Sequence, residues 1–288
     1  MDNLAKGLGQ GPGIYFRINL PFGIHIDITQ TVLTILVASI LLIALSIIVA
    51  KNIKKRPGGF QVVIEKLVTM LYGLVEETMG KHNIVFAPYI GTLFLSSMLC
   101  SILGMTNILR SATADLSVTL AWALVTTVMV WVCTIKNNGF LGWLKGFTEP
   151  IFIMTPMNII SEIASPVSLA FRHFGNVAGG GVLTALIYNA LAVATSLVFG
   201  WLPDWLTSLL PDWLATVPFF QIGIPAVLSV YFDLFSGFVQ AFVFTLLTMV
   251  YVGSANPPPE EVAAAKLEAA EKKAAKKAKK AARRSAKA

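Results

Sequence analysis

The chain has 288 residues, of which 56% are hydrophobic and only 13% are charged. A soluble domain carries roughly twice that charged fraction, so the composition excludes a soluble globular protein and predicts an integral membrane protein. The net charge is +7, and residues 259–288 alone hold ten Lys and Arg and four Glu. The basic charge therefore belongs to a tail, and it predicts no nucleic-acid site in the rest of the chain.

Five apolar segments reach the length of about 20 residues that a helix needs to cross a bilayer, and they lack the alternation of membrane barrel strands. The predicted fold class is all-α: a polytopic membrane protein with about five transmembrane helices and one interfacial amphipathic helix. We expect the last two helices to be long and strongly tilted. The predicted spans are residues 28–50, 86–108, 116–135, 151–202 and 218–252.

Three segments follow from this pattern: an N-terminal segment (1–27), a membrane domain (28–253) and a basic, Lys/Ala-rich tail (254–288). We expect no cleavable signal peptide, because the first 29 residues lack a basic flank followed by a short apolar core. Cys100 and Cys133 each lie in an apolar run, which favours small core residues over a disulfide or a metal site. No cofactor is predicted.

Residues 60–80 differ from the spans because apolar side chains follow one helical stripe while charged ones lie elsewhere. The stripe contains Phe60, Ile64, Leu67, Leu71 and Leu74. This pattern predicts an amphipathic helix in the membrane interface. The alternative is a marginal buried span, which would place Glu65 and Lys66 in the membrane.

Basic residues indicate the orientation in the membrane. The sequence KNIKKRP (51–57) follows the first span, and Lys136 and Lys145 follow the third, whereas residues 201–217 contain no Lys or Arg. Cytoplasmic loops carry an excess of Lys and Arg. We therefore expect an external N-terminus and a cytoplasmic tail, in a membrane that we take to be the bacterial inner (plasma) membrane.

Residues 151–202 allow two architectures. A continuous helix over most of this segment is about 60 Å long, twice the hydrocarbon thickness, and must lie strongly tilted. The alternative is a hairpin that folds back at FGNVAGGG (174–181). The hairpin gives six spans and places the two basic regions on opposite sides, so the positive-inside rule favours one long element.

Few polar residues occur within the predicted spans, and such residues are usually functional. Arg172 and Asn176 are four residues apart and share a helix face. Asp233 and Gln240 are seven apart and share one also, with Gly237 between them. One helix thus offers a fixed cation and its neighbour a protonatable carboxylate, which suggests translocation of a cation. The other polar residues of the long element are Asn158, Glu162 and His173.

Three motifs carry a resemblance to a known family. They are SPVSLAFRHFGNVAGG (165–180), TADLSVTLAWAL (113–124) and QAFVFTLLTMVYV (240–252). Together they resemble the signature of subunit a of F-type ATP synthases, in the same order over residues 28–253. The resemblance implies a non-catalytic stator subunit beside a rotating ring of c subunits, with b-type peripheral stalk subunits, other ATP synthase subunits and the lipid bilayer as further partners.

The resemblance also implies roles for individual residues. Arg172 matches the essential arginine, which holds the ring carboxylate ionised and blocks a leak between two half-channels. Gln240 matches the glutamine near that arginine, and Asn176 the asparagine of the signature. Asp233 occupies a half-channel position. The chain departs from a common family form at Gly181, where that form has Glu.

The sequence allows more than one role for several of these polar residues. Asp233 is expected to replace the missing acid, with Glu162 and His173 as further candidates; Glu162 is also compatible with a structural site beside Ser161 and Ser165. His173 adjoins Arg172 and points to a different helix side, which suits a structural or lipid-facing role. Close helix packing is expected at four glycines, which are Gly179, Gly180, Gly181 and Gly237.

Two rival functions come from other classes. One is a self-contained secondary transporter that binds a small anion at Arg172. The absence of an internal repeat counts against it. The other is a membrane-embedded hydrolase, against which the spans show no Ser/His/Asp set and no His/Glu metal cluster. The sequence leaves open whether the ion is a proton or sodium.

Overall fold

The computed structural model describes residues 13–19, 25–106, 109–148, 152–200, 227, 230–264, 266–268, 271 and 274. Six long helices make up nearly all of this part of the chain. They are α1 (Gln30–Asn52), α2 (Gly59–Met79), α3 (Ala87–Met105), α4 (Leu116–Gly146), α5 (Thr155–Gly200) and α6 (Ser236–Ala255).

Five helices are long and apolar enough to cross a membrane, as the hydrophobic pattern predicts. They cover Gln30–Asn52, Lys81–Gly104, Leu116–Gly146, Phe152–Leu197 and Ser236–Ala264. The membrane domain is therefore polytopic and helical. Helix α2 forms where the amphipathic stripe predicts it, and only its last turns are buried, through Val75 and Met79. Its position in the membrane interface remains a prediction.

The long fourth span is one continuous helix, and the hairpin alternative is wrong. Helix α5 runs for 46 residues from Thr155 to Gly200, through the three glycines and past Pro166. At 1.5 Å per residue it is about 69 Å long, more than twice the hydrocarbon thickness. A single strongly tilted span is the arrangement that fits these lengths.

One helix departs from its expected bounds, and the start of another is not tested. Helix α4 continues eleven residues beyond the predicted end, to Gly146, and bends at Gly139, whose φ of 73° favours glycine. It begins at Asp115, whose carboxylate accepts a hydrogen bond from the Ser117 amide at 3.0 Å, as the predicted helix start requires. The predicted start of the last span, at residue 218, lies outside the described residues.

A β-hairpin precedes the first span, and the sequence analysis missed it. Strand β1 (Ile14–Asn19) pairs antiparallel with β2 (His25–Thr29). Arg17 lies opposite Asp27, and the guanidinium donates two hydrogen bonds to the carboxylate, at 2.6 and 3.1 Å. The pair raises the pKa of Arg17. The strands lie outside the five spans, so the membrane domain remains all-α.

Helix α6 is central to the core. Its Met249 and Val252 pack with Val75 and Ile90 in one buried cluster, and its Phe244 packs against α3, α4 and α5 in another. Cys100 and Cys133 are buried and free, which confirms them as core residues.

A group of four polar side chains, which we call the amide clamp, fixes the end of α6 that leads to the tail. Its members are His82, Asn83, Asn137 and Asn256. Asn256 donates to Asn83 Oδ1 at 2.6 Å, and Asn137 donates to Asn256 Oδ1 at 2.8 Å. The backbone oxygen of Asn256 lies 2.7 Å from His82 Nε2 and 3.0 Å from Asn83 Nδ2. The clamp thereby ties α6 to α4 and to the α2–α3 connection.

Candidate functional site

Arg172 lies in the interior of α5, 17 residues or about 26 Å from the start of the helix. Its side chain is exposed, and no hydrogen-bond or ion-pair partner for it occurs among the residues that the structure describes. An unpaired guanidinium is costly within a bilayer and stays charged there. We therefore expect the Arg172 guanidinium to have a hydrogen-bond or ion-pair partner outside the described part of the chain.

One turn further along, Asn176 connects α5 to α6. Its amide donates to Gln240 Oε1 at 3.3 Å, and its oxygen accepts a hydrogen bond from Ser236 Oγ at 3.0 Å. Because α5 is continuous, Asn176 and Arg172 share a helix face, as the spacing predicts. Gln240 is buried, and its Nε2 has no partner within the described residues.

His173 occupies a different environment from its neighbour Arg172. It is fully buried, and its ring lies edge-to-face against Trp122 and Phe244. Its Nε2 lies 3.2 Å from Ser97 Oγ on α3, whereas its Nδ1 has no partner within the described part of the chain. His173 therefore points away from the Arg172 face and does not face lipid.

Glu162 lies ten residues before Arg172, about 15 Å nearer the start of α5. It is half-buried, and its carboxylate accepts a hydrogen bond from the indole nitrogen of Trp131 on α4. Ser165 donates instead to the backbone oxygen of Ser161. The carboxylate is thus held between α4 and α5 rather than by the neighbouring serines.

Asp233 lies in a π-helical turn, Val230–Phe235, that leads directly into α6. Its side chain falls outside the described residues. The expected shared face of Asp233 and Gln240 assumed an uninterrupted α-helix, and the wider π turn changes that angular relationship. Such turns are frequent at functional sites, which is compatible with the predicted ion-path position.

The four glycines differ in their surroundings. Gly237 is buried, and a Cβ there would lie 3.1 Å from Ser101 Cβ, so this position brings α6 close to α3. A Cβ at Gly179 or Gly181 would meet no atom within 4 Å among the described residues. Gly180 is buried. Close packing at Gly179 and Gly181 therefore requires a second chain and remains a prediction.

The structure brings Asn176 and Gln240 together and places Glu162 and His173 at separate helix contacts. Sequence reasoning missed the side chains that complete these contacts, namely Trp131, Ser97 and Ser236. Each lies in another helix at least 31 residues from its partner, so no local pattern marks it. No group of three His, Cys, Asp or Glu able to hold a metal occurs in the described ranges.

Comparison with known proteins identifies the family of the chain. The family model described as ATP synthase A chain matches residues 31–253. The ATP synthase subunit a of Propionigenium modestum, described as sodium ion specific, is 31% identical and covers 85% of both chains. That of Acidothermus cellulolyticus is 32% identical, covering 79% of this chain and 76% of the relative.

The subunit a of Desulforamulus reducens is also 32% identical, over 80% of each chain. Nothing in these comparisons supports a self-contained secondary transporter. The chain therefore belongs to the subunit a family of ATP synthases, and it is a non-catalytic, ion-translocating stator subunit of their membrane sector.

Proposed function

We propose that the chain provides two half-channels that carry protons to and from a rotating ring of c subunits, with Arg172 facing the ring. The observation that carries this proposal is the exposed guanidinium in the interior of α5, which has no partner in the described chain. A carboxylate on a neighbouring chain would offset the cost of this charge.

The chemistry follows from the fixed charge of arginine. An opposite charge at short range lowers a carboxylate pKa by about one to three units. A protonated ring carboxylate that reaches Arg172 therefore releases its proton. It stays ionised until it has passed, because the guanidinium does not deprotonate in proteins. The same positive charge repels a proton that would cross directly between the two half-channels.

Two groups of polar side chains on either side of Arg172 support the two half-channels. Glu162 lies toward the start of α5, and Asn176 lies beyond Arg172 with Gln240 beside it. With the orientation expected from the basic loops, Glu162 belongs to the cytoplasmic half-channel. Asp233, which precedes Gln240, belongs to the external one. In this scheme Asp233 replaces the acid that is missing at Gly181.

The partners follow from the same scheme. The face of α5 that carries Arg172 and Gly179 meets the ring, and b-type peripheral stalk subunits hold the chain still. The ring carboxylate and the half-channels decide the ion. The Propionigenium modestum relative is described as sodium ion specific, which makes sodium the alternative to protons.

The test is ATP-driven ion pumping by inverted membrane vesicles that contain the whole complex, with assembly of the complex measured in parallel. Arg172→Ala should abolish coupled pumping in an assembled complex. Arg172→Lys should also fail, because a lysine that faces the ring within the membrane can lose its proton. Arg56→Ala, a change in the exposed loop after α1, is the matched control and should pump normally. Wild-type pumping by assembled Arg172→Ala complexes would overturn the proposal.

A further inference from the structure

A line of buried polar side chains connects the α3–α4 connection to the helix that carries Arg172. It contains Ser111, Thr113, Ser101, Ser97 and His173, which we call the hydroxyl relay. Ser111 is half-buried at the end of the line, and the other four are at most 7% exposed. An ionisable side chain in a membrane span is costly and usually functional, so the buried His173 at the inner end of this line needs an explanation beyond packing.

The contacts along the relay are short at both ends. Ser111 Oγ lies 2.8 Å from Thr113 Oγ1, and Thr113 Oγ1 lies 3.5 Å from Ser101 Oγ. At the other end, Ser97 Oγ lies 3.2 Å from His173 Nε2. Ser97 lies eight residues from the end of α3, so the line reaches about 12 Å inward from that end.

Two hydroxyls in the relay each have two possible acceptors. Ser111 donates either to the backbone oxygen of Cys100, at 3.2 Å, or to Thr113. Ser101 donates either to the backbone oxygen of Ser97, at 3.1 Å, or to Thr113. A hydroxyl both donates and accepts, so these side chains can reverse the direction of their hydrogen bonds by rotation. Reversal of this kind resets a proton relay after each transfer.

Ser101 and Ser97 are one helical turn apart on α3, with Cβ atoms about 5–6 Å from each other. The structure gives no direct bond between these two hydroxyls, so a proton relay through them requires one bridging water, which can span such a separation. Gly237 on α6 lies directly against Ser101, where a Cβ would approach its Oγ to 3.3 Å.

The inner end of the relay has a polar atom without a hydrogen-bond partner among the described residues. His173 is fully buried, and its Nδ1 has no partner among the described residues. Gln240 Nε2 is likewise buried without a partner there, one turn along α6 from Phe244, whose ring contacts His173. Buried polar atoms are normally hydrogen-bonded, so each of these two atoms is available to a mobile donor or acceptor.

We infer that protons travel between the α3–α4 connection and the Arg172 region through the hydroxyl relay, with His173 as the inner member. This inference rests on the proposed function and deepens it by naming the ion and its path. The imidazole accepts a proton at one ring nitrogen and gives one up at the other, then returns to its first tautomer. No bond other than O–H and N–H forms or breaks.

The relay selects protons over sodium by its chemistry. A metal cation needs several oxygen ligands to replace its hydration shell. The relay offers single hydroxyls and a ring nitrogen in a packed interior instead. A proton needs only one donor and one acceptor at each step.

The experiment uses inverted vesicles with the whole complex and measures ATP-driven proton pumping together with the amount of assembled complex. Ser97→Ala removes the contact to His173 and should slow pumping about tenfold, equivalent to about 1.4 kcal/mol of barrier. Ser97→Thr keeps a hydroxyl and should restore most of the rate. Ser96→Ala is the matched control, because Ser96 donates to the backbone oxygen of Leu93 and lies outside the relay.

A second variant separates a proton-carrying role from a structural one. His173→Gln keeps a hydrogen-bonding group beside Ser97, but an amide does not exchange protons as imidazole does. It should slow pumping about tenfold in an assembled complex, again about 1.4 kcal/mol. Wild-type pumping by Ser97→Ala or by His173→Gln would overturn the relay. Pumping that requires added sodium would overturn it also.

Failure of the relay and failure of the proposed function are distinguishable in the same vesicles. If only the relay is wrong, Arg172→Ala is still inactive while the Ser97 and His173 variants pump normally. If the proposed function is wrong, Arg172→Ala pumps normally as well.

Discussion

The amide of Asn176 donates a hydrogen bond to Gln240 Oε1 at 3.3 Å, and this bond joins α5 to α6 one turn from Arg172. Asn176 also accepts from Ser236, so one exposed side chain links the two helices twice. The face that carries the arginine is therefore held at a fixed position relative to α6.

Asn176→Leu should weaken coupling without preventing assembly. The change removes both bonds to α6 and leaves Oε1 and Nε2 of Gln240 unpaired within the described residues, at a cost of about 1–3 kcal/mol. We expect ATP-driven pumping to fall severalfold, measured against ATP hydrolysis by the same vesicles. Asn189→Leu is the control, since among the described residues its amide donates only to the backbone oxygen of Ala185 on the same helix. Equal pumping by the two variants would contradict the prediction.

Asp233→Asn should strongly reduce proton flux. Asparagine keeps the volume of the side chain but removes its titratable site, so the proposed external half-channel would lose its protonatable group. The measurement is pumping by vesicles with a normal amount of assembled complex. Glu77→Gln, an exposed acid on α2, serves as the control. Normal flux in Asp233→Asn would show that the half-channel does not use this acid, and Glu162 would be tested next.

Two changes test the contact between α4 and α5. Glu162→Gln should reduce pumping strongly, because the proposed cytoplasmic half-channel would lose its acid. Trp131→Phe keeps the acid but removes the indole donor, a loss of about 1 kcal/mol of net hydrogen bonding, and should reduce pumping more mildly. Trp143→Phe is the control, since it replaces the neighbouring indole that packs against Trp131. Identical rates for Glu162→Gln and wild type would remove Glu162 from the ion path.

The orientation in the membrane is testable with a reporter at each end of the chain. Five crossings place the two termini on opposite sides, and the basic loops predict an external N-terminus and a cytoplasmic tail. Protease protection of tags in right-side-out and inverted vesicles measures this directly. Reporters on the same side would contradict five crossings.

Much of the fold could be predicted because the bilayer restricts it strongly. Length and hydrophobicity identify five spans, and the positive-inside rule correctly favours one long α5 over a hairpin. Three successive glycines do not break this helix. The β-hairpin escaped prediction because its two strands have only six and five residues. The π turn at Asp233 also escaped, because it depends on packing around α6 rather than on residue type.

The candidate site could be predicted only as a set of residues. Helical spacing placed Arg172 and Asn176 on one face and His173 on another, and the structure agrees. It did not reveal that Glu162 meets Trp131 or that His173 meets Ser97, because these pairs are 31 and 76 residues apart. Contacts between helices depend on tilt and rotation, which periodicity does not determine.

The amide clamp gives α6 a mechanical anchor. Asn83, Asn137 and His82 hold Asn256 through both its side chain and its backbone, at the end of α6 opposite the π turn. In the proposed complex a turning ring exerts a lateral force on α5. The hydrogen bond from Asn176 transmits part of that force to α6. The clamp transmits this force to α4 and to the α2–α3 connection. The helices beside the ring therefore resist the torque together rather than singly.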